Sequence, residues 1–298
     1  MILNLVQNGI FPILYDKEGN NLNQEMDTGL KYPGTVQGEG KWIGTSCLFV
    51  RTTACNLRCA WIGVDGKGSP CDTPYSSHKP EKNKTEVDDI VATLIANSNN
   101  MSIKHIVISG GEPTMQPEAL AELLEKLQNL GFKTTIETNG TLFDEQVANH
   151  TNLCSMSPKL KSSTPWEANL KDTGIQFNQK WAERHERDRR NIDVIQQYID
   201  NCYEKTEVGL PDYTKRKTTN DFQLKFVVLS ESDIDEIEND FLKQLDGVQP
   251  DDICLMPEGT LVDDLMHRSY WTVEACVKRG WRFTPRLHAL MFGVKRGV

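Results

Sequence analysis

The chain lacks the segments that export or membrane insertion would require. No apolar run approaches the roughly 18 residues that a membrane-spanning helix needs. The opening segment, MILNLVQNGIFPIL, has neither the basic start nor the small-residue cleavage site of a signal peptide. We therefore expect a cytoplasmic protein in a reducing compartment, where cysteines remain free thiols.

An excess of basic residues is also missing. The sequence has 33 Lys and Arg residues against 42 Asp and Glu, which gives a formal net charge of -9. This charge opposes general binding to nucleic acids and to anionic membranes, because both partners are negative. No internal repeat or low-complexity segment interrupts the 298 residues, and a 38% hydrophobic content can form a large core. We expect one domain over residues 1–298.

The cysteines are few and unevenly spaced. Cys55, Cys59 and Cys71 lie in the run CNLRCAWIGVDGKGSPCDT, whereas the other five are scattered singly and are predicted to be buried thiols: Cys47, Cys154, Cys202, Cys254 and Cys276. A fourth thiol close by would indicate a closed zinc or iron–sulfur site. Three thiols favour an iron–sulfur cluster with one iron free for a ligand that is not part of the protein.

Segments with strand character alternate with segments of helical periodicity. One helix is predicted from the capping box Thr85 to Asp88 and buries Val87 to Ile95, a second carries Leu120 to Leu130, and a third begins near Ser232. This alternation predicts an α/β fold with a parallel sheet whose loops share one rim. The charged segment 162–220 is predicted to be a surface elaboration, most simply a solvated helix. The predicted strands are Cys47 to Thr52, His105 to Ser109, Lys133 to Thr138, Leu153 to Met156, Phe222 to Leu229 and Ile253 to Met256.

Polar motifs follow three consecutive predicted strands. They are Ser109 to Pro113, Glu137 to Gly140, and Ser157 to Lys159. Glycine after a strand allows a ligand to approach the backbone, and Glu112 could receive an ammonium group, although any one of these motifs could be an ordinary turn. Their recurrence at three strand ends favours a binding site.

These residues together resemble the radical S-adenosylmethionine (SAM) superfamily and, within it, the 7-carboxy-7-deazaguanine synthase family. The matching motifs span nearly the whole chain. They are TVQGEG (35–40), FVR (49–51), the cysteine run ending in CDT, SGGEP (109–113), ETNGT (137–141), SPK (157–159), QLKFVV (223–228), LMPEG (255–259) and PRLHAL (285–290). The resemblance implies a single-domain partial (β/α) TIM-like barrel with the site at the carboxyl ends of its strands.

One departure concerns the cysteine spacing. The superfamily has C-x3-C-x2-C, whereas eleven residues separate Cys59 from Cys71, so residues 62–70 form an insertion in the cluster loop 55–73. A longer loop costs only about 1 kcal/mol more to close, since the closure entropy grows with the logarithm of its length. Three iron–thiolate bonds outweigh that cost, and we expect Cys71 to remain the third ligand with the insertion on the surface.

The resemblance also implies the cofactors. Cys55, Cys59 and Cys71 would hold one [4Fe-4S] cluster whose open iron binds S-adenosylmethionine, and one-electron reduction would release methionine and a 5′-deoxyadenosyl radical. Thr73 would coordinate Mg²⁺, although a hydroxyl that caps a turn is the alternative. Lys225 could equally be a strand lysine with its amine in solvent. The implied cofactor-binding residues are Pro70, Asp72, Gly111, Glu112, Glu137, Asn139, Ser157, Pro158, Lys159 and Lys225.

The implied substrate is 6-carboxy-5,6,7,8-tetrahydropterin, which loses ammonia to give 7-carboxy-7-deazaguanine in queuosine-type biosynthesis. Arg51 would bind its carboxylate through two parallel hydrogen bonds, although Arg51 could also pair with a surface acid. The C-terminal carboxylate of Val298 could fold back onto the pterin. The implied substrate-binding residues are Val36, Gln37, Gly38, Glu39, Arg51, Ser109 and Val298. His288 is predicted to be structural.

Two other function classes stay open, and the partners are implied only by resemblance. A glycyl-radical activase would keep the cluster and GGEP but would lack the QGEG, FVR and CDT motifs. A zinc or iron–sulfur binding module without catalysis would leave the three strand-end motifs unexplained. The resemblance further implies a homodimer and a reductant of the flavodoxin or ferredoxin type.

Overall fold

The computed structural model describes residues 1–293 and 295–297. Its strands are β1 (Ile2–Phe11), β2 (Thr35–Val36), β3 (Ser46–Thr52), β4 (Ala60–Ile62), β5 (Gly68–Pro70), β6 (Asn83–Glu86), β7 (His105–Ser109), β8 (Lys133–Thr138), β9 (Leu153–Met156), β10 (Tyr203–Lys205), β11 (Pro211–Arg216), β12 (Asp221–Val228), β13 (Ile253–Pro257) and β14 (Arg282–Phe283). Its α-helices are α1 (Val87–Ala96), α2 (Pro117–Asn129), α3 (Glu145–Asn149), α4 (Gln179–Asp188), α5 (Ile192–Asp200), α6 (Glu231–Glu236), α7 (Val262–Arg279) and α8 (Leu287–Phe292).

One large sheet organises the protein. Its order is β14-β13-β12-β9-β8-β7-β3-β1-β6, with β2 paired to β3. Seven neighbouring strands of this sheet run parallel to one another: β3, β7, β8, β9, β12, β13 and β14. Strand β1 runs antiparallel to both β3 and β6. Within the described residues β14 and β6 are the two edges, so the sheet is open. The predicted α/β fold with a parallel sheet is confirmed.

The core lies where helices cover the parallel strands. Every residue of β7, β9 and β13 is buried, because the strands are covered on both faces. Leu120, Leu123, Leu124 and Leu127 of α2 contribute the helical side of this core. The five cysteines outside the cluster loop are free and buried, as predicted.

One predicted helix start needs correction. Thr85 does not cap α1, because it lies in β6, where it pairs with Leu3, and α1 begins at Val87. Ile95 is exposed rather than on the buried face. The capping box of α6 is formed by Ser230 and Asp233, and the helix begins at Glu231, in agreement with the predicted start near Ser232.

Two segments depart more strongly from the predictions. The opening residues Ile2–Phe11 form β1, which the sequence analysis did not predict. Segment 162–220 is only partly a solvated elaboration: α4 is mostly exposed, but α5 places Ile195, Tyr198 and Ile199 in the main core. Among the described residues, no helix combines the length and apolarity needed to cross a membrane.

Candidate active site

A cavity of about 480 Å³ lies at the carboxyl ends of the parallel strands. Parallel strands place their following loops at one edge, so motifs far apart in sequence meet there. The cavity is lined by most of the residues predicted from sequence: Gln37, Glu39, Arg51, Cys55, Cys59, Pro70, Cys71, Asp72, Thr73, Ser109, Gly111, Glu137, Asn139, Ser157, Lys159 and Lys225.

The insertion between Cys59 and Cys71 is a β-hairpin. Strands β4 and β5 pair antiparallel, with Ala60 opposite Pro70, and the Cys71 N–H donates to the Cys59 carbonyl at 3.0 Å. The eleven intervening residues therefore leave and return to the same place. The departure in spacing does not separate the second and third thiols, because a hairpin brings its two ends together whatever its length.

Hydrogen bonds attach the hairpin to the body of the protein, so it does not lie free on the surface. The Ser69 hydroxyl donates to the Glu258 carboxylate at 2.6 Å, and the Arg268 guanidinium donates to the Ile62 carbonyl at 2.9 Å. Glu258 and Arg268 form a buried ion pair with each other. Asn169 donates to the Ala60 carbonyl at 2.9 Å from the opposite side. The hairpin tip, residues 64–67, is exposed to solvent, as is Ile62.

The three cysteine thiols are free and face the cavity. Burial raises the pKa of Cys55 to about 12 and raises the pKa of Cys59 further. Thiolates at these positions therefore require a strongly cationic partner, and the irons of a cluster meet that requirement. In the described part of the chain, no three His, Cys, Asp or Glu side chains form a group that could hold a metal ion. This trio fits a cluster, which spaces its ligands more widely than a single ion does.

Gly111 connects the cluster loop to the strand-end motif. A Cβ at Gly111 would lie 1.9 Å from the carbonyl oxygen of Ala54, and the neighbouring Glu112 N–H donates to the same oxygen at 2.8 Å. Glycine is thus required here by the close approach of the loop that begins at Cys55, not only by the approach of a ligand. The GGEP motif sets the position of the first cysteine.

Glu112 has a different role from the predicted one. Its carboxylate is 0% exposed and accepts hydrogen bonds from the Asn139 N–H at 2.6 Å, the Thr138 hydroxyl at 2.8 Å and the Thr114 hydroxyl at 2.7 Å. These donors occupy the carboxylate, so its oxygens do not line the cavity. Glu112 holds the second strand-end motif against the first, and the prediction that its carboxylate receives an ammonium group is not met.

Some of the remaining strand-end residues line the cavity, and others only support those that do. Asn139 lines the cavity and donates to Asn56 at 2.9 Å, with Cys55 Sγ 3.9 Å away. Lys159 lines it and donates to the Ser157 hydroxyl at 2.8 Å. Pro158 is buried between these two and does not line the cavity, so its predicted contact with the cofactor is not supported.

Opposite the cysteines, charged side chains form a connected set. Lys225 is buried and pairs with Glu39, with Glu137 Oε1 3.9 Å from its ammonium. Burial alone would raise the pKa of Glu39, but the charges of Lys225 and Arg286 lower that pKa to about 2. Burial likewise opposes protonation of Lys225, and the charge of Glu39 raises its pKa above the usual value. The alternative in which the Lys225 amine reaches solvent is wrong.

Arg51 has unused hydrogen-bonding capacity in the cavity. It is half-buried, its guanidinium stacks 5.1 Å from the Phe11 ring, and its Nε has no hydrogen-bond partner. No ion pair involves Arg51 in the described part of the chain, which rejects the alternative that it serves a surface acid. A buried unsatisfied donor at a cavity wall suits an anionic ligand.

Two predicted backbone contacts are used by the protein itself. The Gly38 carbonyl accepts from the Leu287 N–H at 3.0 Å, and a Cβ at Gly38 would lie 2.3 Å from His288 Nδ1. Val36 pairs with Ser46 across β2 and β3. Neither Val36 nor Gly38 lines the cavity, and His288 of α8 packs against Gly38. The predicted ligand Val298 lies outside the described residues.

Comparison with known proteins agrees with this site. The radical SAM superfamily matches residues 49–165, which contain the cysteines and all three strand-end motifs. The 7-carboxy-7-deazaguanine synthase of Halobacterium salinarum is 37% identical over 263 residues, which cover 87% of each chain. The enzyme of that name from Rhodopirellula baltica is 34% identical over 262 residues, covering 88% of this chain and 85% of its own. This chain belongs to the 7-carboxy-7-deazaguanine synthase family.

A solved structure agrees with the fold. The crystal structure of QueE from Escherichia coli is 21% identical, has a TM-score of 0.53 and covers 94% of this chain and 95% of its own. At that identity the likeness shows the fold alone. The predicted radical SAM identity and α/β fold are confirmed.

Several residues that line the cavity were not predicted from the sequence. Arg286 lines the wall and pairs with Asp72, which the prediction had assigned to the cofactor. His288 also lines it, with an unpartnered Nε2, although it was predicted to be structural. Glu258 and Tyr75 also line the cavity and were not predicted. Arg286 and His288 lie in the PRLHAL motif, and Glu258 lies in the LMPEG motif. These motifs could have indicated that the residues belong to the site, but a motif does not show which of its side chains point into the cavity.

Proposed function

We propose that this radical SAM enzyme converts 6-carboxy-5,6,7,8-tetrahydropterin to 7-carboxy-7-deazaguanine with release of ammonia, in queuosine-type deazapurine biosynthesis. One observation carries the proposal: three free thiols and the unsatisfied guanidinium of Arg51 line the same cavity. Thiols suit an iron–sulfur cluster, and a buried guanidinium suits a substrate carboxylate. The two relatives with this activity in their names support the same reaction.

Cys55, Cys59 and Cys71 would hold the [4Fe-4S] cluster. The Gly111 backbone and the side chains of Asn139, Ser157 and Lys159 are placed to surround S-adenosylmethionine. When bound, these groups supply one-electron chemistry that removes a hydrogen atom from the substrate. The chain's own contribution is orientation and the exclusion of water, for which the apolar wall is suited: Leu57, Trp61, Val227 and Met256.

The polar wall suits a flat pterin with a carboxylate. Arg51 would bind the carboxylate, with Ser109 at the end of the neighbouring strand. Glu39 remains ionised because Lys225 and Arg286 lower its pKa, so its carboxylate can accept from the ring nitrogens. Gln37 donates to Glu137 at 3.3 Å and holds the second carboxylate of this wall in place. The amide edge of a pterin would face these acceptors.

Thr73 is the proposed protein ligand of a magnesium ion. Its hydroxyl lies 3.4 Å from Cys71 Sγ and lines the cavity. A neutral oxygen suits Mg²⁺, which keeps several waters and would share its remaining positions with the substrate. Activity that falls on treatment with EDTA and returns with added magnesium supports this role. Activity indifferent to both would assign the hydroxyl to a turn.

A direct test is anaerobic reconstitution followed by mass spectrometry of the carboxypterin reaction. Formation of 7-carboxy-7-deazaguanine with release of ammonia is expected. The Arg51→Ala variant should raise KM for the carboxypterin tenfold or more, because a charge-assisted pair contributes about 1.5–3 kcal/mol, while its iron content stays normal. A matched control is Arg190→Ala, which removes a half-exposed guanidinium outside the cavity. Cleavage of S-adenosylmethionine without any deazaguanine product would refute the proposal.

Two partners are further proposals. A flavodoxin or ferredoxin-type protein would deliver the electron, and its replacement by a chemical reductant should support slower turnover. A homodimer is proposed from the family resemblance.

A further inference from the structure

Arg58, in the middle of the cluster loop, carries a charge for which the chain supplies no carboxylate. Its guanidinium is half-buried and donates to the carbonyl oxygens of Cys55 at 2.8 Å and Leu57 at 2.9 Å. No Asp or Glu is paired with it in the part of the chain that the structure describes. Burial lowers the pKa of Arg58, and the charge of Arg184 adds to this effect. The cation is therefore held here at a cost in free energy.

Helix α4 holds Arg58 from two positions one turn apart. The ring of Trp181 lies 4.3 Å from the guanidinium carbon, which is a cation–π contact. His185 Nδ1 accepts from the Arg58 N–H at 3.2 Å, and its Nε2 lies 3.2 Å from the Ser163 hydroxyl. Burial lowers the pKa of His185 to about 3, so the ring is neutral at pH 7 and can accept this hydrogen bond. Helix α4 thus fixes both the backbone and the side chain of one residue in the cluster loop.

The three clustered cysteines are the groups that can balance this charge. The Arg58 charge interacts with Cys55, Cys59 and Cys71. Without a cluster, Cys55 and Cys59 are neutral at pH 7, because burial raises the pKa of both thiols. Three thiolates on an iron–sulfur core carry a net negative charge, and reduction by one electron adds to it. Arg58 is not among the residues that line the cavity, so its charge acts on the cluster from behind and not on a ligand of the open iron.

We infer that Arg58 raises the reduction potential of the cluster that these three cysteines would hold. The inference rests on the proposed function, which supplies the cluster. A nearby cation stabilises the reduced state more than the oxidised state, because the reduced state has one more negative charge. One electron enters from an external reductant, and no proton or ligand is exchanged. The Leu57 N–H, 3.4 Å from Cys55 Sγ, acts in the same direction as a hydrogen bond to a cluster sulfur.

Trp181 separates two arginines that differ in exposure. It covers one face of the Arg58 guanidinium and so reduces screening of that charge by water. Arg184 lies across the same ring at 5.1 Å, but its side chain is 49% exposed and pairs with Asp188 at 3.4 Å. At an effective dielectric constant of about 20, a unit charge about 10 Å away changes an equilibrium constant more than tenfold. That effect is expected from Arg58, whereas Arg184 is a matched control with the same charge.

The test is a redox titration of the anaerobically reconstituted full chain with dithionite, followed by electron paramagnetic resonance of the reduced cluster. Arg58→Gln should lower the equilibrium constant for reduction about tenfold or more, which for one electron is a fall in potential of about 59 mV or more. Arg58→Lys keeps the charge and should remain near the wild-type potential. Arg184→Gln should change the potential little. Iron content and circular dichroism verify that each variant is loaded and folded.

A second variant decides the matter if Arg58→Gln does not hold a cluster. Trp181→Leu keeps the Arg58 charge but admits water to the guanidinium, so the potential should fall by a smaller amount. An unchanged potential in Arg58→Gln, or in Trp181→Leu where that variant decides, would overturn the inference and leave the proposed function standing. An equal fall in Arg58→Lys would assign the effect to the hydrogen bonds within the loop and overturn it as well. A wild-type chain that binds no cluster would overturn both this inference and the proposed function.

Discussion

The buried pair between Arg268 and Glu258 should control both stability and retention of the cluster. Arg268→Met keeps the length and apolar stem of the side chain but removes the guanidinium. Glu258, 5% exposed, is then left without a counter-charge, and the hydrogen bond to the Ile62 carbonyl is lost as well. Breaking a buried ion pair by removing one partner costs about 3–5 kcal/mol, most of it from the charge left behind. We expect a loss of that size in the free energy of unfolding.

The consequence for the cluster follows from the hairpin. Glu258 holds Ser69 and Arg268 holds Ile62, so the pair fastens both strands of the hairpin that ends at Cys71. Arg268→Met should therefore lower the iron bound per chain after anaerobic reconstitution, and the cluster's visible absorbance should fall with it. Urea denaturation of the apoprotein measures the stability separately. Arg190→Met, at a half-exposed ion pair outside the hairpin, should change both quantities little.

The double variant Glu258→Gln with Arg268→Met separates the two effects. With both charges removed, much of the lost free energy of unfolding should return, because no buried charge is left uncompensated. Burial already raises the pKa of Glu258, and removing the guanidinium raises that pKa further. The single variant should thus be most destabilised at pH 8, where the carboxylate is charged, and less at pH 5, where it is partly protonated. A loss under about 1 kcal/mol with unchanged iron binding would refute the role of this pair.

Three further predictions concern the same site. Replacing the hairpin tip Val64 to Gly66 by Asn-Gly should leave iron binding unchanged, because a two-residue turn preserves the pairing of Ala60 with Pro70; lost iron would mean that the tip itself contributes. Gly111→Ala should reduce both iron content and S-adenosylmethionine cleavage strongly, because its Cβ would lie 1.9 Å from the Ala54 carbonyl, and a fully loaded variant would contradict that packing. The pKa of Glu39 is lowered from 4.5 to about 2, so its ionised form stabilises the fold above pH 4.5 and that contribution is lost as the pH falls toward 2. Acid titration of Glu39→Gln, followed by circular dichroism, should show a flatter decline of stability over this window than the wild-type protein, and two parallel curves would rule the contribution out.

Local sequence patterns were sufficient to predict the parallel strands. The strands β7, β8 and β9 were predicted at their observed bounds, because strands covered on both faces are continuous apolar or β-branched runs. Strand β1 was not predicted, since its pairing with β3 and β6 at the sheet edge is a long-range contact that its own residues do not encode clearly. Thr85 illustrates the same limit. Its local sequence predicts a helix N-cap, but in the structure Thr85 pairs with Leu3 in the sheet instead.

The sequence predicted which residue types form the site, but it did not predict the direction in which each side chain points. The three cysteines, Arg51 and the strand-end motifs were identified because their chemistry is rare in such clusters, and the predicted fold places them on one rim. Glu112 has the correct chemistry for an ammonium ligand, yet its oxygens bind Thr114, Thr138 and Asn139. A buried carboxylate takes whichever donors the packing brings nearest, and two of these donors, Thr138 and Asn139, come from the end of another strand.

The sequence by itself determined which groups are available: three clustered thiols that suit a cluster, an arginine that suits an anion, and a parallel α/β scaffold to present them. Tertiary structure alone decided how Cys71 reaches the other thiols, because only pairing of β4 with β5 turns a gap of eleven residues into direct neighbours. It also decided that Glu258 and Arg268, ten residues apart, fasten that hairpin. Such contacts depend on register and on competition among buried polar groups, and these are set when distant segments pack together.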